Sequence, residues 1–209
     1  MKSIYSIGFA TTLFLSGLLS ACSNTRLISS WKAPQTTDVK FDKVLVIGLM
    51  GSKDRMLREN VEQTMVEQLK ARGMNAGSAF AEYGPKTFES IDEAETVKLL
   101  KNKGYDGAFT IALLDKSKEK KYRPGMTGFY PGPYRFWGYY RFMNTRIYEP
   151  GYYTVSNNFM LEANLYDLDA DKLIYSAQTT SVDPASPQSL AAEFSKKIFG
   201  DMSKKGVIN

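Results

Sequence analysis

Apolar residues follow two rhythms along this chain, and the alternation between them predicts its elements. Lys43-Val44-Leu45-Val46-Ile47-Gly48-Leu49 is a continuous apolar run rich in β-branched side chains, the pattern of a strand buried on both faces. Beyond it Leu57, Val61, Met65 and Leu69 recur every four residues. That spacing predicts an amphipathic helix, capped by Asp54 and stopped at Gly73. Arg55/Glu59 and Arg58/Glu62 are expected to pair on its wet side. A short strand is expected near Ala76 to Phe80. Ser90-Ile91-Asp92-Glu93 reads as a capping box, Ser at the cap and Glu three residues on. It opens a helix with Ala94, Val97 and Leu100 inward, ending at Gly104. Gly107 to Leu114 is another buried strand.

Further on, Val155, Asn157, Phe159, Leu161, Ala163 and Leu165 alternate with polar residues, as in a long half-buried strand. Asp167 to Lys172 makes a turn, and Leu173 to Val182 returns as the antiparallel partner. Pro187 after Ser186 opens a last helix, whose stripe is Leu190, Phe194, Ile198 and Met202 and whose end is Gly206. The succession β-α-β-α-β, a long aromatic loop, then β-β-α predicts a single α/β domain over residues 41–209. It should hold a mixed sheet with helices packed on it and right-handed crossovers.

The amino terminus follows neither rhythm. Met1-Lys2 gives a short positive start, Ile4 to Leu19 is apolar but interrupted by Ser, Thr and Gly, and Leu19-Ser20-Ala21 leads into Cys22, the only cysteine. This is the form of a secretory signal over residues 1–21 ending in a lipobox. A membrane span would need about 20 predominantly apolar residues, and five Ser and Thr between Ser6 and Ser20 weaken that reading. Cys22 is therefore expected to be cut free at its amino side and acylated, palmitate being among its chains. Each buried methylene contributes about 0.8 kcal/mol and two chains make an anchor stable. Residues 22–40 are polar and aperiodic and read as the lipidated tether, with Trp31 expected to dock on the domain.

Composition narrows the chemistry. The net charge of +5 loses a single lysine with the signal; so mild an excess suits an anionic envelope surface and gives no argument for nucleic acid. Histidine is absent. That removes imidazole bases and Ser-His-Asp or Cys-His constellations, and leaves zinc without its usual nitrogen or sulfur ligands. No catalytic residue, metal or cofactor is expected, and the chain reads as a non-enzyme.

The anomaly is the segment from Tyr122 to Tyr153. It holds twelve aromatic residues, five Gly and four Pro, and its four arginines face the single acid Glu149. Glycine and proline exclude a long helix there, and connections beyond about 12–15 residues are often functional. Tyr, Trp and Arg are enriched where proteins bind partners. Tyr130, Tyr134, Arg135, Phe136, Trp137, Tyr139, Tyr140 and Arg141 are the candidate contact residues. Two readings stay open: a surface for protein, glycan or lipid headgroups, or an excursion whose rings pack on its own sheet. Just before it, Lys116, Lys118 and Lys120 would share one face of an extended strand, either as a solvated edge that discourages aggregation or as a site for an anionic partner.

Two look-alikes fail. Asp167-Leu168-Asp169-Ala170-Asp171 starts like a calcium loop, but Lys172 holds the glycine position and Gln178 replaces the closing Glu. Gly48-Leu49-Met50-Gly51-Ser52-Lys53 has glycines too close together for a phosphate loop.

Ser30-Trp31-Lys32-Ala33-Pro34, Phe41 before Val44-Leu45-Val46-Ile47-Gly48, Leu161-Glu162-Ala163-Asn164-Leu165-Tyr166-Asp167 and Lys172-Leu173-Ile174-Tyr175-Ser176-Ala177 together resemble small bacterial envelope lipoproteins that share an uncharacterised domain. The resemblance spans residues 27 to 206 and leaves out the aromatic excursion. It implies an α/β domain broadly similar to the amino-terminal domain of the Tol-system periplasmic protein and to curli-secretion lipoproteins, with no catalytic residues to carry over. In diderm bacteria a residue other than Asp after the lipidated cysteine implies the outer membrane, and Ser23 stands there. The expectation is thus a non-enzymatic outer-membrane lipoprotein facing the periplasm, an adaptor or assembly factor. The alternative is a lipid- or glycan-binding module. The partners are the membrane, through Cys22, and an envelope protein, anionic lipid or cell-wall glycan.

Overall fold

The computed structural model describes residues 24–34, 36, 38–86, 92–123, 135–146 and 151–208. The signal segment, Cys22, Ser90, Tyr130 and Tyr134 lie outside them. Six strands form one mixed sheet: β1 (Thr25–Lys32), β2 (Lys43–Leu49), β3 (Asn75–Ser78), β4 (Gly107–Arg123), β5 (Tyr152–Asp167) and β6 (Lys172–Val182). Their spatial order is β1-β6-β5-β4-β2-β3. β2 runs parallel to β3 and β4, and the remaining pairs are antiparallel. Among the described residues five α-helices accompany them: α1 (Arg55–Lys70), α2 (Ala79–Tyr83), α3 (Glu93–Asn102), α4 (Phe136–Arg146) and α5 (Pro187–Lys204). The α/β class and the mixed sheet agree with the sequence pattern, while the element order agrees only in outline.

The main core lies between the sheet and the two long helices. Leu57, Val61, Met65 and Leu69 of α1 and Leu190, Phe194, Ile198 and Met202 of α5 are buried against Val44, Val46, Phe109, Ile111, Leu161 and Ala163. Each such side chain contributes about 1.5–3 kcal/mol when fully removed from water. A smaller cluster on the opposite face holds Leu45, Ala79, Leu100 and Tyr105. Ser186 and Ser189 cap α5 reciprocally, and Gly206 after it adopts φ +62°, which glycine tolerates without a Cβ clash.

Several expectations need correction. Residues 25–32, expected within the tether, form edge strand β1, which pairs with β6 from Thr25↔Ser181 to Lys32↔Tyr175. Its backbone donors find their ladder there, and buried Thr25 shares a hydrogen bond with Ser181 at 2.6 Å. Trp31 belongs to that strand and stays 46% exposed. The strand expected near Ala76–Phe80 ends at Ser78, whose hydroxyl accepts from Ala81 N and opens α2. Asp92 caps α3 by accepting from Glu95 N at 2.8 Å, so the helix begins two residues later than a Ser90 cap requires. Asp54 occupies the cap position of α1 without a side-chain capping bond; its carboxylate faces Lys116 instead. An 11-residue helix, α4, stands inside the excursion despite Gly138. Finally, Arg58 does pair with Glu62 at 3.0 Å, but Glu62 is fully buried and not on the wet side.

Candidate functional site

Strands β4 and β5 outrun their neighbours. β2 stops at Leu49 opposite Ala112, and β6 stops at Val182 opposite Asn158. From Lys118↔Asn157 to Arg123↔Tyr152 the two strands therefore have only each other. A register shift between Leu113 and Asp115 marks where β4 departs; such bulges bend and twist a strand. A bare two-stranded ribbon is marginal in water, so its side chains must help. Tyr122 and Tyr153 meet near the tip, their rings tilted by 53° with centroids 5.2 Å apart. Thr154 Oγ1 donates to the Lys121 carbonyl at 3.2 Å, and Lys121 meets Glu119 at 3.3 Å.

Cross-strand partners share a face, which divides the ribbon unequally. One face carries Lys116, Lys118, Lys120 and Tyr122 from β4 with Tyr153 and Val155 from β5, following the register. It bears no acid. The opposite face carries Glu119, Lys121 and Arg123, the acid beside Lys121. The alternation read from the sequence does put the three lysines together, and the ribbon brings Tyr122 (56% exposed) and Tyr153 (68% exposed) alongside them. Lys116 at the root reaches Asp54 and lies over the Phe159 ring at 5.6 Å.

At that root the lysine face meets the amino-terminal ends of α1 and α5 in a cavity of about 320 Å³. Lys53, Lys116 and Asn157 line it beside Phe159, Pro187 and Leu190. Asp183 is bonded to the lining residue Asn157. Its carboxylate accepts from Asn157 N at 2.6 Å, and that backbone hydrogen bond holds it below the usual aspartate range.

The excursion between the ribbon strands carries the remaining candidates. Arg135 precedes α4, while Phe136, Trp137, Tyr139, Tyr140 and Arg141 ride on it. Three rings gather: Phe136 against Trp137 edge-on at 5.0 Å, Phe136 stacked on Tyr140 at 6.1 Å, and Trp137 edge-on to Tyr140 at 5.9 Å. They touch one another and still leave Phe136 71%, Trp137 66% and Tyr140 51% exposed.

Sequence reasoning missed the most heavily engaged carboxylate. Glu62 Oε1 accepts from Gly48 N at 2.8 Å and Arg58 Nε at 3.0 Å. Its Oε2 accepts from Ser78 Oγ at 2.6 Å and Phe80 N at 2.7 Å. Gly48 is required there, because a Cβ would stand 2.7 Å from Arg58 Cγ and 3.1 Å from Glu62 Oε1. The acid's two oxygens are occupied by donors from β2, α1, β3 and α2, an arrangement that joins elements and offers no open proton acceptor. Asp167 is likewise spent on its turn, accepting from Asp169 N and Ala170 N at 2.9 Å.

No protein-family model matches the chain, and no curated protein matches it. Among solved structures it is similar to a PelC dodecamer from Paraburkholderia phytofirmans, at 12% identity over 83% of this chain and 94% of that one, TM-score 0.45. It is similar as well to the lipoprotein GNA1162 from Neisseria meningitidis, at 13% identity over 78% of this chain and 98% of that one, TM-score 0.44. A third is a PDZ domain protein from Parabacteroides distasonis, at 9% identity over 87% of this chain and 37% of that one, TM-score 0.38. At these values the likeness is one of coarse architecture.

Proposed function

We propose that this chain is a non-enzymatic, lipid-anchored protein of the bacterial envelope, an adaptor or assembly factor held at the outer membrane through Cys22 and facing the periplasm. Its contact surface is the aromatic excursion. One observation carries the reading: Phe136, Trp137 and Tyr140 form a ring cluster that is mostly open to water, between Arg135 and Arg141 and without an acid among residues 135–146. Leaving three large rings exposed forgoes several kcal/mol of burial (about 1.5–3 kcal/mol each), a cost removed when a partner covers them. The lipobox and Ser23 support the anchor and the membrane. The absence of histidine and the full engagement of Glu62 support a role without catalysis. The resemblance of residues 27 to 206 to small bacterial envelope lipoproteins supports a role in the envelope.

The test is cross-linking in intact cells with the parent chain and with Phe136, Trp137 and Tyr140 all changed to serine. Loss of a cross-linked species from the variant, at equal abundance, supports the surface; an identical set of species rejects it. Mass spectrometry of membrane-extracted protein reads the anchor directly, because an unmodified Cys22 sulfur rejects it. A second reading, a lipid- or glycan-binding module, is favoured by the lysine-bearing face of the ribbon.

A further inference from the structure

Asn24 lies beside the root of the ribbon. Val182 N donates to the Asn24 carbonyl at 3.3 Å, and Asp183 N donates to the Asn157 carbonyl at 2.8 Å. Asn24 and Asn157 are thus joined through two consecutive residues. In sheet order β1 and β5 are separated only by β6, so the start of β1 and the root of the ribbon stand two strand spacings apart, about 10 Å. Cys22 is two residues before Asn24, and two residues reach at most about 7 Å. The ribbon from Asn157 to Tyr152 advances about 17 Å beyond the same end of the sheet, at roughly 3.3 Å per residue.

We propose that the lysine-bearing face of the ribbon, with the corner cavity at its root, lies on the anionic phospholipid headgroups of the membrane that holds the anchor. The proposal rests on the lipidation of Cys22 put forward above and goes beyond it, by naming which surface meets the bilayer. Reach drives the contact. With the strands standing upright on the bilayer, the ribbon tip would pass the anchoring sulfur by about 10 Å and cross the headgroup layer. The ribbon therefore lies along the surface and must present one face.

Charge selects the face. Lys116, Lys118 and Lys120 stand on one side with no acid from either strand, Lys116 pairing with Asp54 and Lys118 and Lys120 carrying the charge beyond it, whereas Glu119 interrupts the other side. Basic side chains near an anionic leaflet each add to binding, and Tyr122 and Tyr153 beside them have the apolar body and polar tip favoured at a membrane interface. The two acids nearest the corner are engaged, Asp54 by Lys116 and Asp183 by Asn157. The amino-terminal ends of α1 and α5 face the same corner, where their backbone dipoles favour phosphate.

The core residues of both clusters lie between Phe41 and Ile208, so a form beginning at Ser23 keeps the whole core and loses the only cysteine. Its sedimentation is measured with vesicles of phosphatidylglycerol and phosphatidylcholine, and with phosphatidylcholine alone. Binding to the first, weakened by salt, and none to the second is expected. Each lysine at such a surface is worth roughly fivefold, so Lys118→Gln with Lys120→Gln lowers partitioning about 25-fold. Lys70→Gln with Lys172→Gln removes the same charge from the opposite end of the sheet and changes it less than fivefold. A polarity-sensitive dye on Tyr153→Cys shifts on adding anionic vesicles, and one on Lys172→Cys does not. Absent sedimentation at low salt, equal losses in the two double variants, or equal dye shifts overturn the proposal. An acylated Cys22 combined with any of these leaves the anchor standing and removes only the headgroup contact; vesicle binding with an unmodified Cys22 does the reverse.

Discussion

Glu62 offers the sharpest quantitative test of how the domain is held together. Changing it to alanine removes an acceptor from four donors at once. Two of them, Gly48 N and Phe80 N, are backbone groups fixed by β2 and α2, and no rotation frees them. Each buried donor left unmet costs about 1–3 kcal/mol. Ser78 can turn its hydroxyl, and Arg58, whose side chain is 13% exposed, keeps its bond to the Pro85 carbonyl at 3.0 Å. The sum points to about 3–5 kcal/mol, the range for breaking a buried ion pair and a large part of the ~5–15 kcal/mol that holds a typical domain. Glutamine keeps the shape and one oxygen. Its amide nitrogen, turned toward Phe80 N and the adaptable Ser78, orphans one donor, for about 1–3 kcal/mol. The assay is urea unfolding followed by far-ultraviolet circular dichroism at constant pH, with the slopes compared to exclude a change in the unfolded state. Glu62→Ala within about 0.5 kcal/mol of the parent, the ordinary scatter of surface changes, would refute the reasoning. So would Glu62→Gln costing as much as Glu62→Ala.

Three further outcomes are expected. Ser186→Ala breaks the reciprocal cap of α5 and costs about 1 kcal/mol in the same urea assay, while Ser203→Ala near the far end of that helix costs a few tenths at most. Gly107→Ala drives a Cβ to 2.9 Å from the Phe41 ring and costs about 1–3 kcal/mol as overpacking; Phe41→Leu in the same chain recovers part of it if the clash is the cause. Tyr105 and Tyr175 are buried and hydrogen-bonded to Glu82 and Asp201, and burial first, then those bonds, raises both phenols above the usual tyrosine range. The folded state thus holds their protons more tightly than the unfolded chain. Their contribution is complete below about pH 10 and declines as pH climbs past that value. In an alkaline absorbance titration these two ionise only with unfolding, and the Tyr175→Phe variant loses one late-titrating phenol.

What could be read in advance was whatever follows a one-dimensional rule. The stripes of α1 and α5 and the apolar runs of β2 and β4 bury side chains at the period of their own element, so the pattern alone sufficed. β1 escaped because it is an edge strand whose exposed Arg26, Ile28 and Ser29 mask any alternation; it is held by backbone bonds to β6, which leave no trace in hydropathy. Glu62 looked like half of a surface pair with Arg58. Its burial follows from Gly48, Ser78 and Phe80 converging on it, and only tertiary structure supplies that. On the ribbon the lysine alternation and the strand from Val155 onward were both legible, yet their pairing was not, since the register that brings Tyr153 beside the lysines is set across a 28-residue interval in the sequence. Helix α4 was hidden by its glycine and by prolines on either side, whose average preferences outweighed eleven helical residues.

The position of β1 bears on how the molecule assembles. Thr25 finds its partner Ser181 across 156 positions, so the first of the six strands along the chain cannot be seated until the last one exists. Closing so long an interval slows formation of that edge relative to local contacts. During the delay residues 25–32 have no ladder to join, and their register is fixed only once the carboxy-terminal third has collapsed onto the earlier strands.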